Sequence, residues 1–365
     1  MKAAVLFEYE QPVQTVDVEL MDPKPGEVLI KIAAAGVCHS DLHVIKADLP
    51  LPVPIILGHE GAGVVEAVGE GVTRVQPGDH VVLSWVPECG ECYFCKISRY
   101  DMCDTAAALA ISGAQRDGTT RFSLNGEDVH QFSMTGTFAE YTTVPQESAI
   151  PIRKDVPLEL AALVGCGVMT GVGAVINTAK VRPGSSVVVI GAGGVGLNVI
   201  QGAALAGAEK IIAVDLVDGK LSLARTFGAT HTINAKEKDV VMSVLDYTDQ
   251  LGAEYAFEVI GRPETIAQAY NCLRKTGTAV VVGVAPPNAE VSINAFSIPS
   301  QAKTLTGTWY GQANPRVDLP RLLDLYKAGK LKLDELMSKS YDLSQINEAF
   351  QDMVDGKVAR GIIKF

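Results

Sequence analysis

The chain has 365 residues, is 47% hydrophobic and 20% charged, and carries a formal net charge of −11. At roughly 150 residues per domain the length suggests two domains, and the apolar share excludes an intrinsically disordered chain. The acidic balance and the lack of any Lys/Arg run argue against nucleic acid or an anionic membrane as partner.

The start, MKAAVLFEYEQP, has neither a continuous apolar core nor a small-residue cleavage site, so no secretory signal is expected. From there to about residue 165 the pattern predicts short strands broken by Gly and Pro, among them EVLIKI, GAGVVEAVG and GDHVVLSW. The segment CGECYFC interrupts them as an irregular lobe. Two uncharged stretches, 160–179 and 185–208, raise the question of a membrane span. Both are dense in Gly and Ala and carry Asn177, Asn198 and Gln201, and a buried strand–turn–helix explains the second better than a spanning helix.

The grammar changes near residue 185. Strands are expected at SSVVVI, KIIAVD, YAFEVIG and GTAVVVGV, and helices at GLNVIQGAALAG, GKLSLARTFGA and PETIAQAYNCLRK. Alternation of apolar runs with amphipathic helices predicts a parallel, doubly wound sheet and an α/β fold. The apolar stretch KTLTGTWYG follows as a strand-like segment. The tail adds helices at LPRLLDLYKAG and SQINEAFQDMVDG and a closing strand at RGIIKF.

The turn VVVIGAGGVGLNVI fits GxGxxG, running from Gly191 through Gly193, Gly194 and Val195 to Gly196. Alone the pattern is weak, but here it joins a strand to a helix. Asp215 ends the next strand, 19 residues beyond Gly196. The first glycine makes the tight turn and the second lets a pyrophosphate approach the backbone. The third packs helix on strand, and the helix N-terminus supplies free N–H groups. The Asp215 carboxylate can accept the hydroxyls of an adenosine ribose and repel a 2′-phosphate, which favours NAD over NADP.

Seven cysteines and no secretion signal speak against a disulfide framework and for the reducing cytoplasm. Cys89, Cys92, Cys95 and Cys103 are spaced x2, x2, x7. This favours a closed tetrahedral zinc site over an iron–sulfur cluster or free thiols, since a ferredoxin run reads x2, x2, x3 and then Pro, whereas Asp104 follows Cys103 here. Cys38, His59 and Cys166 have no local spacing that links them.

Taken in order, GVCHSDLH, GHEGAGVVEAVG, PGDHVV, CGECYFC with Cys103, VGCGVMTGVGAV, GAGGVGLNVI, FEVIGR and ARGIIKF resemble the zinc-dependent alcohol dehydrogenases of the medium-chain dehydrogenase/reductase family. The resemblance spans residues 2–365, with the segment around DGTTRF similar to the longer members and the tail similar to bacterial ones. It implies a β-rich GroES-like catalytic domain with a structural zinc lobe at 1–167. A Rossmann domain at 168–309 and a tail at 310–365 that completes the catalytic domain would follow.

By that resemblance Cys38, His59 and Cys166 are the ligands of a catalytic zinc, which with the four-cysteine site makes two zinc ions per chain. Such a Cys2His set leaves the fourth position open. Glu60 is a carboxylate near the metal, Asp41 orients His59, and Ser40 and His43 form a proton relay. His39 and Arg360 face the cofactor pyrophosphate, Thr170 and Val284 flank the nicotinamide, and Lys220 lies near the adenosine ribose. Members acting on the glutathione adduct of formaldehyde carry an anion-binding Arg where this chain has Ala107, which argues against that substrate. Cys272, His80, His130 and His231 are expected to be structural or surface residues.

The implied function is NAD-dependent interconversion of alcohols with aldehydes or ketones by a cytoplasmic homodimer or homotetramer. One rival is an alcohol:acceptor oxidoreductase or dismutase with permanently bound NAD(H). The other is a zinc protein that senses NAD without turnover, which would have no need of Ser40 and His43.

Overall fold

The computed structural model describes residues 1–365. The chain divides into one unit formed by Met1–Gly167 with Asn314–Phe365 and another formed by Val168–Ala313. The tail was expected to begin at residue 310. It begins at Asn314 because the turn Tyr310–Gln312 stays with the second unit, where the Asn177 side chain donates to the Gly311 carbonyl at 3.2 Å.

In the first unit the strand Glu27–Gly36 is the spine of a sheet. It pairs antiparallel with Glu60–Val68, Tyr141–Pro145 and Arg360–Lys364. Val28, Ile30 and Ile32 alternate inward onto Val65, Val81, Leu83 and Val144, while Lys31 is exposed. At its far end Gly36 stands opposite Glu60, and a Cβ there would collide with the Glu60 side chain. Glycine is therefore what lets that carboxylate lie against the strand.

The tail completes this unit from a distant part of the sequence. Tyr341, Phe350 and Ile363 pack with Leu6, Val37, Val44 and Phe138 in one core. That core seats the helix His39–Ile45, whose Val44 and Asp41 are buried. The cysteine segment folds as a short helix Tyr93–Lys96, a single turn Tyr100–Met102 and a helix Asp104–Ser112.

The second unit is a six-stranded sheet whose paired strands run parallel. Its order is His231–Asn234, Lys210–Asp215, Ser186–Ile190, Ala253–Glu258, Leu273–Val281 and Thr304–Gly307. Ser186–Ile190 lies between strands that follow it in sequence, so the order reverses at its carboxyl end, where the glycine turn begins. Val188, Ile190, Ile212, Val214, Ala256 and Ala279 fill the core.

One helix ends earlier than the sequence suggested. PETIAQAYNCLRK is helical only over Pro263–Asn271, and Leu273 instead pairs with Ala253 as the start of a strand. Burial of Leu273 in the sheet core outweighs the helical propensity of Leu-Arg-Lys. No single helix is long and apolar enough to cross a membrane.

Candidate active site and metal centres

Two clusters of metal-ligating groups exist. In the first, Cys38, His59, Glu60 and Cys166 are all buried, and one ligand atom from each lies within 4.8 Å of the others. Cys38 precedes the helix His39–Ile45, and Cys166 follows the turn Leu163–Gly165. His59 sits beside Gly58, whose φ of +92° belongs to the left-handed region that favours glycine. A Cβ at Gly58 would also strike the Phe138 backbone nitrogen at 2.8 Å.

The buried Asp41 carboxylate accepts from the Gly58 N–H at 2.9 Å and contacts His59 Nδ1 at 3.2 Å. With Nδ1 held this way, Nε2 is the nitrogen left to meet a ligand, and it is buried without a hydrogen-bond partner. Trp85 and Phe132 meet the His59 ring edge-on, at centroid separations of 6.4 and 5.3 Å. The Cys38 thiol is held well below the usual range by its hydrogen bond with Cys166 and by His59, against the opposing effect of burial. The Cys38 sulfur beside an orphaned imidazole nitrogen and the Cys166 sulfur is a donor set that fits zinc.

Glu60 adds a carboxylate to this cluster. Its Oε1 accepts the Gly167 N–H at 3.0 Å, and its Oε2 is ion-paired with Arg360. Burial pushes Glu60 up to about 7, with Arg360 acting in the opposite direction. Arg360 was expected at the cofactor pyrophosphate; the structure places one guanidinium nitrogen on Glu60 and leaves its buried Nε without a partner.

In the second cluster the four ligand atoms of Cys89, Cys92, Cys95 and Cys103 lie within 4.8 Å of one another. Cys89 and Cys95 Sγ are 4.0 Å apart, close to the roughly 3.8 Å edge of a tetrahedron with Zn–S bonds of about 2.3 Å. Backbone N–H groups of Cys89 and Ala106 point at Cys103 Sγ, and that of Cys92 at Cys89 Sγ, as thiolate acceptors require. For Cys89, burial works upward, yet the Thr105 hydroxyl and the Glu91 and Cys92 backbones bring it down to about 6. All four ligands are protein sulfurs, so this set fits a closed structural zinc.

Ser40 and His43 lie one turn apart on the helix His39–Ile45, a spacing that puts them on one face. Ser40 Oγ lies 3.8 Å from Cys38 Sγ. His39 is exposed on the same helix. In the second unit Gly191 has φ +102°, and a Cβ at Gly196 would collide with the Gly191 carbonyl. A Cβ at Gly193 would project into open space, so a ligand can approach the backbone there. Gly194 and Val195 open the helix Gly194–Leu205, which has no side-chain cap at its N-terminus, so its first N–H groups are free of an intrahelical partner and suit an anion.

Asp215 accepts from the Ala192, Leu216 and Val217 N–H groups at 2.8, 2.7 and 3.1 Å. A carboxylate offers about four acceptor positions, so about one remains for a ribose hydroxyl. Lys220 lies on the helix Asp218–Thr226, Thr170 on the helix Gly167–Gly173, and Val284 is exposed. These contours fit a dinucleotide. Sequence reasoning did not find Trp85, Phe132 or the Glu60–Arg360 pair, because no local pattern links residues brought together only by the fold.

Residues 24–154 match the alcohol dehydrogenase GroES-like domain and residues 194–328 the zinc-binding dehydrogenase family. The chain belongs to the zinc-dependent alcohol dehydrogenases. It is 45% identical to an NDMA-dependent alcohol dehydrogenase of Amycolatopsis methanolica, covering 99% of this chain and 98% of that one. An S-(hydroxymethyl)glutathione dehydrogenase of Paracoccus denitrificans is 41% identical, over 100% and 99%. The crystal structure of benzyl alcohol dehydrogenase from Acinetobacter calcoaceticus superposes with a TM-score of 0.95 at 37% identity, over 100% and 99%. As a member of the family the protein is an oxidoreductase that uses zinc and a nicotinamide cofactor on small-molecule alcohols.

Proposed function

We propose that the chain oxidises alcohols to aldehydes or ketones, and reverses that reaction, with NAD as cofactor and two zinc ions per chain. The observation that carries this is the buried, unpartnered His59 Nε2 among the Cys38, Cys166 and Glu60 donors. Zinc held there supplies Lewis acidity toward an alcohol oxygen, and the nicotinamide supplies the hydride acceptor. Cys38, His59 and Cys166 hold the metal, with Asp41 fixing the imidazole. Ser40, whose hydroxyl can donate and accept at once, takes the alcohol proton and passes it toward His43. Asp215 disfavours a cofactor with a 2′-phosphate.

The other zinc is structural, bound by Cys89, Cys92, Cys95 and Cys103. Ala107 continues to argue against a glutathione adduct as substrate, despite the similarity to the Paracoccus enzyme. The cytoplasm suits a chain with seven free thiols. A second reading, permanently bound NAD(H) with an external acceptor, is kept because a relative is named as NDMA-dependent.

The test is turnover of primary, secondary and aromatic alcohols with added NAD before and after exhaustive dialysis. NAD-dependent turnover that survives dialysis and vanishes on chelation supports the first reading. Cofactor that stays bound through dialysis, with turnover only when an acceptor is added, selects the second.

A further inference from the structure

The proton relay needs an exit, and the structure supplies a residue for it that the sequence did not single out. The helix His39–Ile45 ends at Lys46, and Ala47 then takes φ +59°, in the left-handed region. That turn reverses the chain, and the Leu49 N–H donates to the His43 carbonyl at 3.1 Å. Asp48 is thereby folded back onto the helix, with Oδ2 2.9 Å from His43 Nδ1. The His43 side chain is 38% exposed and Asp48 55%.

We propose that Asp48 is the positioning residue of the proton exit: its carboxylate accepts the His43 Nδ1–H and so leaves the Nε2 lone pair as the proton acceptor. The inference rests on the relay reading of Ser40 and His43. Which imidazole nitrogen carries hydrogen is set by the hydrogen bond the other makes, and a carboxylate can only accept. His43 Nε2 makes no hydrogen bond within the chain. A proton arriving from Ser40 binds Nε2 while the Nδ1–H stays on Asp48, and the same proton leaves from Nε2 to water. Cys38, half-buried Ser40, His43 and exposed Asp48 form a graded path from the metal cluster to solvent. As a surface ion pair alone the contact would add little stability, whereas as an orienting contact it decides where the proton can bind.

The experiment uses the zinc-loaded enzyme under conditions where a deuterium effect shows that chemistry limits the rate. Asp48→Ala should lower alcohol oxidation about tenfold, a fraction of the 10²–10⁴ that a positioned acid–base group supplies. Zinc content and NAD affinity should hold, imidazole buffer should restore the rate, and Asp48→Glu should recover it. Nitrogen-15 NMR of the neutral ring, assigned with His43→Gln, should show the Nδ1–H form in the parent and a mixed population in Asp48→Ala. A parental rate in Asp48→Ala beside a slowed His43→Gln would overturn the role of Asp48 and leave the relay standing. Parental rates in both would overturn the relay and this inference with it.

Discussion

Glu60 and Arg360 stand 300 residues apart and form a buried ion pair at the metal cluster, with side-chain exposures of 0% and 5%. The pair ties the strand Glu60–Val68 to the closing strand Arg360–Lys364 on opposite sides of Glu27–Gly36. It explains why Glu60 can sit among two thiols without an uncompensated charge.

Arg360→Met should therefore be costly. Removing one partner of a buried pair typically destabilises by about 3–5 kcal/mol, whereas replacing both is far milder. The double variant Glu60→Gln/Arg360→Met should regain more than half of the loss in urea unfolding. Glu60, pushed up to about 7, binds its proton more tightly folded than unfolded, so its contribution falls as pH rises from the ordinary carboxylate range through about 7. Without Arg360 to oppose burial, the single variant should lose more stability at about pH 9 than at about pH 6. An equal loss at both would show that the pair is not what compensates Glu60.

The two cysteine clusters should separate on mutation. Cys95→Ser removes a ligand from a site whose metal binding is coupled to folding, so the melting temperature should drop and one zinc should be lost. Cys166→Ser should abolish turnover and cost one zinc while leaving the lobe at 89–112 intact. Metal analysis giving about two zinc ions in the parent and about one in each variant is expected. A parent that carries one zinc when fully loaded contradicts the two-site reading.

Asp215→Ala should shift cofactor choice toward NADP. The substitution removes a negative charge and charge-assisted hydrogen bonds worth about 1.5–3 kcal/mol each. It also frees the Ala192 N–H that Asp215 now holds, so the glycine turn should loosen and KM for NAD should rise. Efficiency with NADP relative to NAD should increase at least about tenfold, the equivalent of about 1.4 kcal/mol. A parent with equal efficiency on both cofactors would remove Asp215 from specificity.

Much of this architecture was legible in the sequence because its signals are local. The alternation from SSVVVI onward sets the parallel sheet, and the glycine turn lies at the carboxyl end of Ser186–Ile190. The four-cysteine spacing marks its cluster within 15 positions, 89 to 103. Elements with weak patterns were not singled out, such as the half-exposed four-residue strand His231–Asn234 and the helix Val240–Tyr247, whose Asp239 cap precedes an unbroken apolar start. Contacts of high sequence separation left no pattern at all. Arg360 on Glu60 and Phe132 on His59 exist only because distant strands share a sheet and a core. Asp48 was legible as a residue but not as a partner, since the turn at Ala47 that returns it to His43 uses no glycine.

Asp352 should matter to the tail, and its effect should depend on pH. It accepts from Lys339 at 2.7 Å, from the Tyr341 hydroxyl at 2.9 Å and from Lys357 at 3.2 Å, binding the helix Ile346–Val354 to the strand Met337–Asp342. The Lys339 hydrogen bond leads in bringing its carboxyl down to about 2. A depressed carboxyl contributes stability above its unfolded value and loses it as pH falls through the folded one. Asp352→Asn should accordingly melt below the parent near neutrality, and the gap should narrow as pH falls from about 5 toward 2. A gap that stays constant over that range would mean that the charge plays no part.

The last prediction concerns the open edge of the parallel sheet. Thr304–Gly307 pairs with Leu273–Val281 on one side and is exposed along its whole length. Leu305 is 37% exposed and Trp309, just beyond the strand, 47%. A row of unpaired N–H and C=O groups beside apolar side chains is a template for another strand, and proteins that leave such an edge open in solution usually blunt it with charge, proline or a bulge. Here residues 304–311 carry no charge and no proline. Pairing of two copies about a two-fold axis satisfies both edges with one self-complementary contact, and a tetramer can be built from such dimers. Light scattering should give a dimer or tetramer at working concentration. Leu305→Lys/Trp309→Lys should shift it toward monomer by placing like charges on both sides of the axis, with the zinc content of each chain unchanged. A parent that is monomeric under the same conditions would sink the assignment, and a double variant that keeps the parental mass would move the interface elsewhere on the chain.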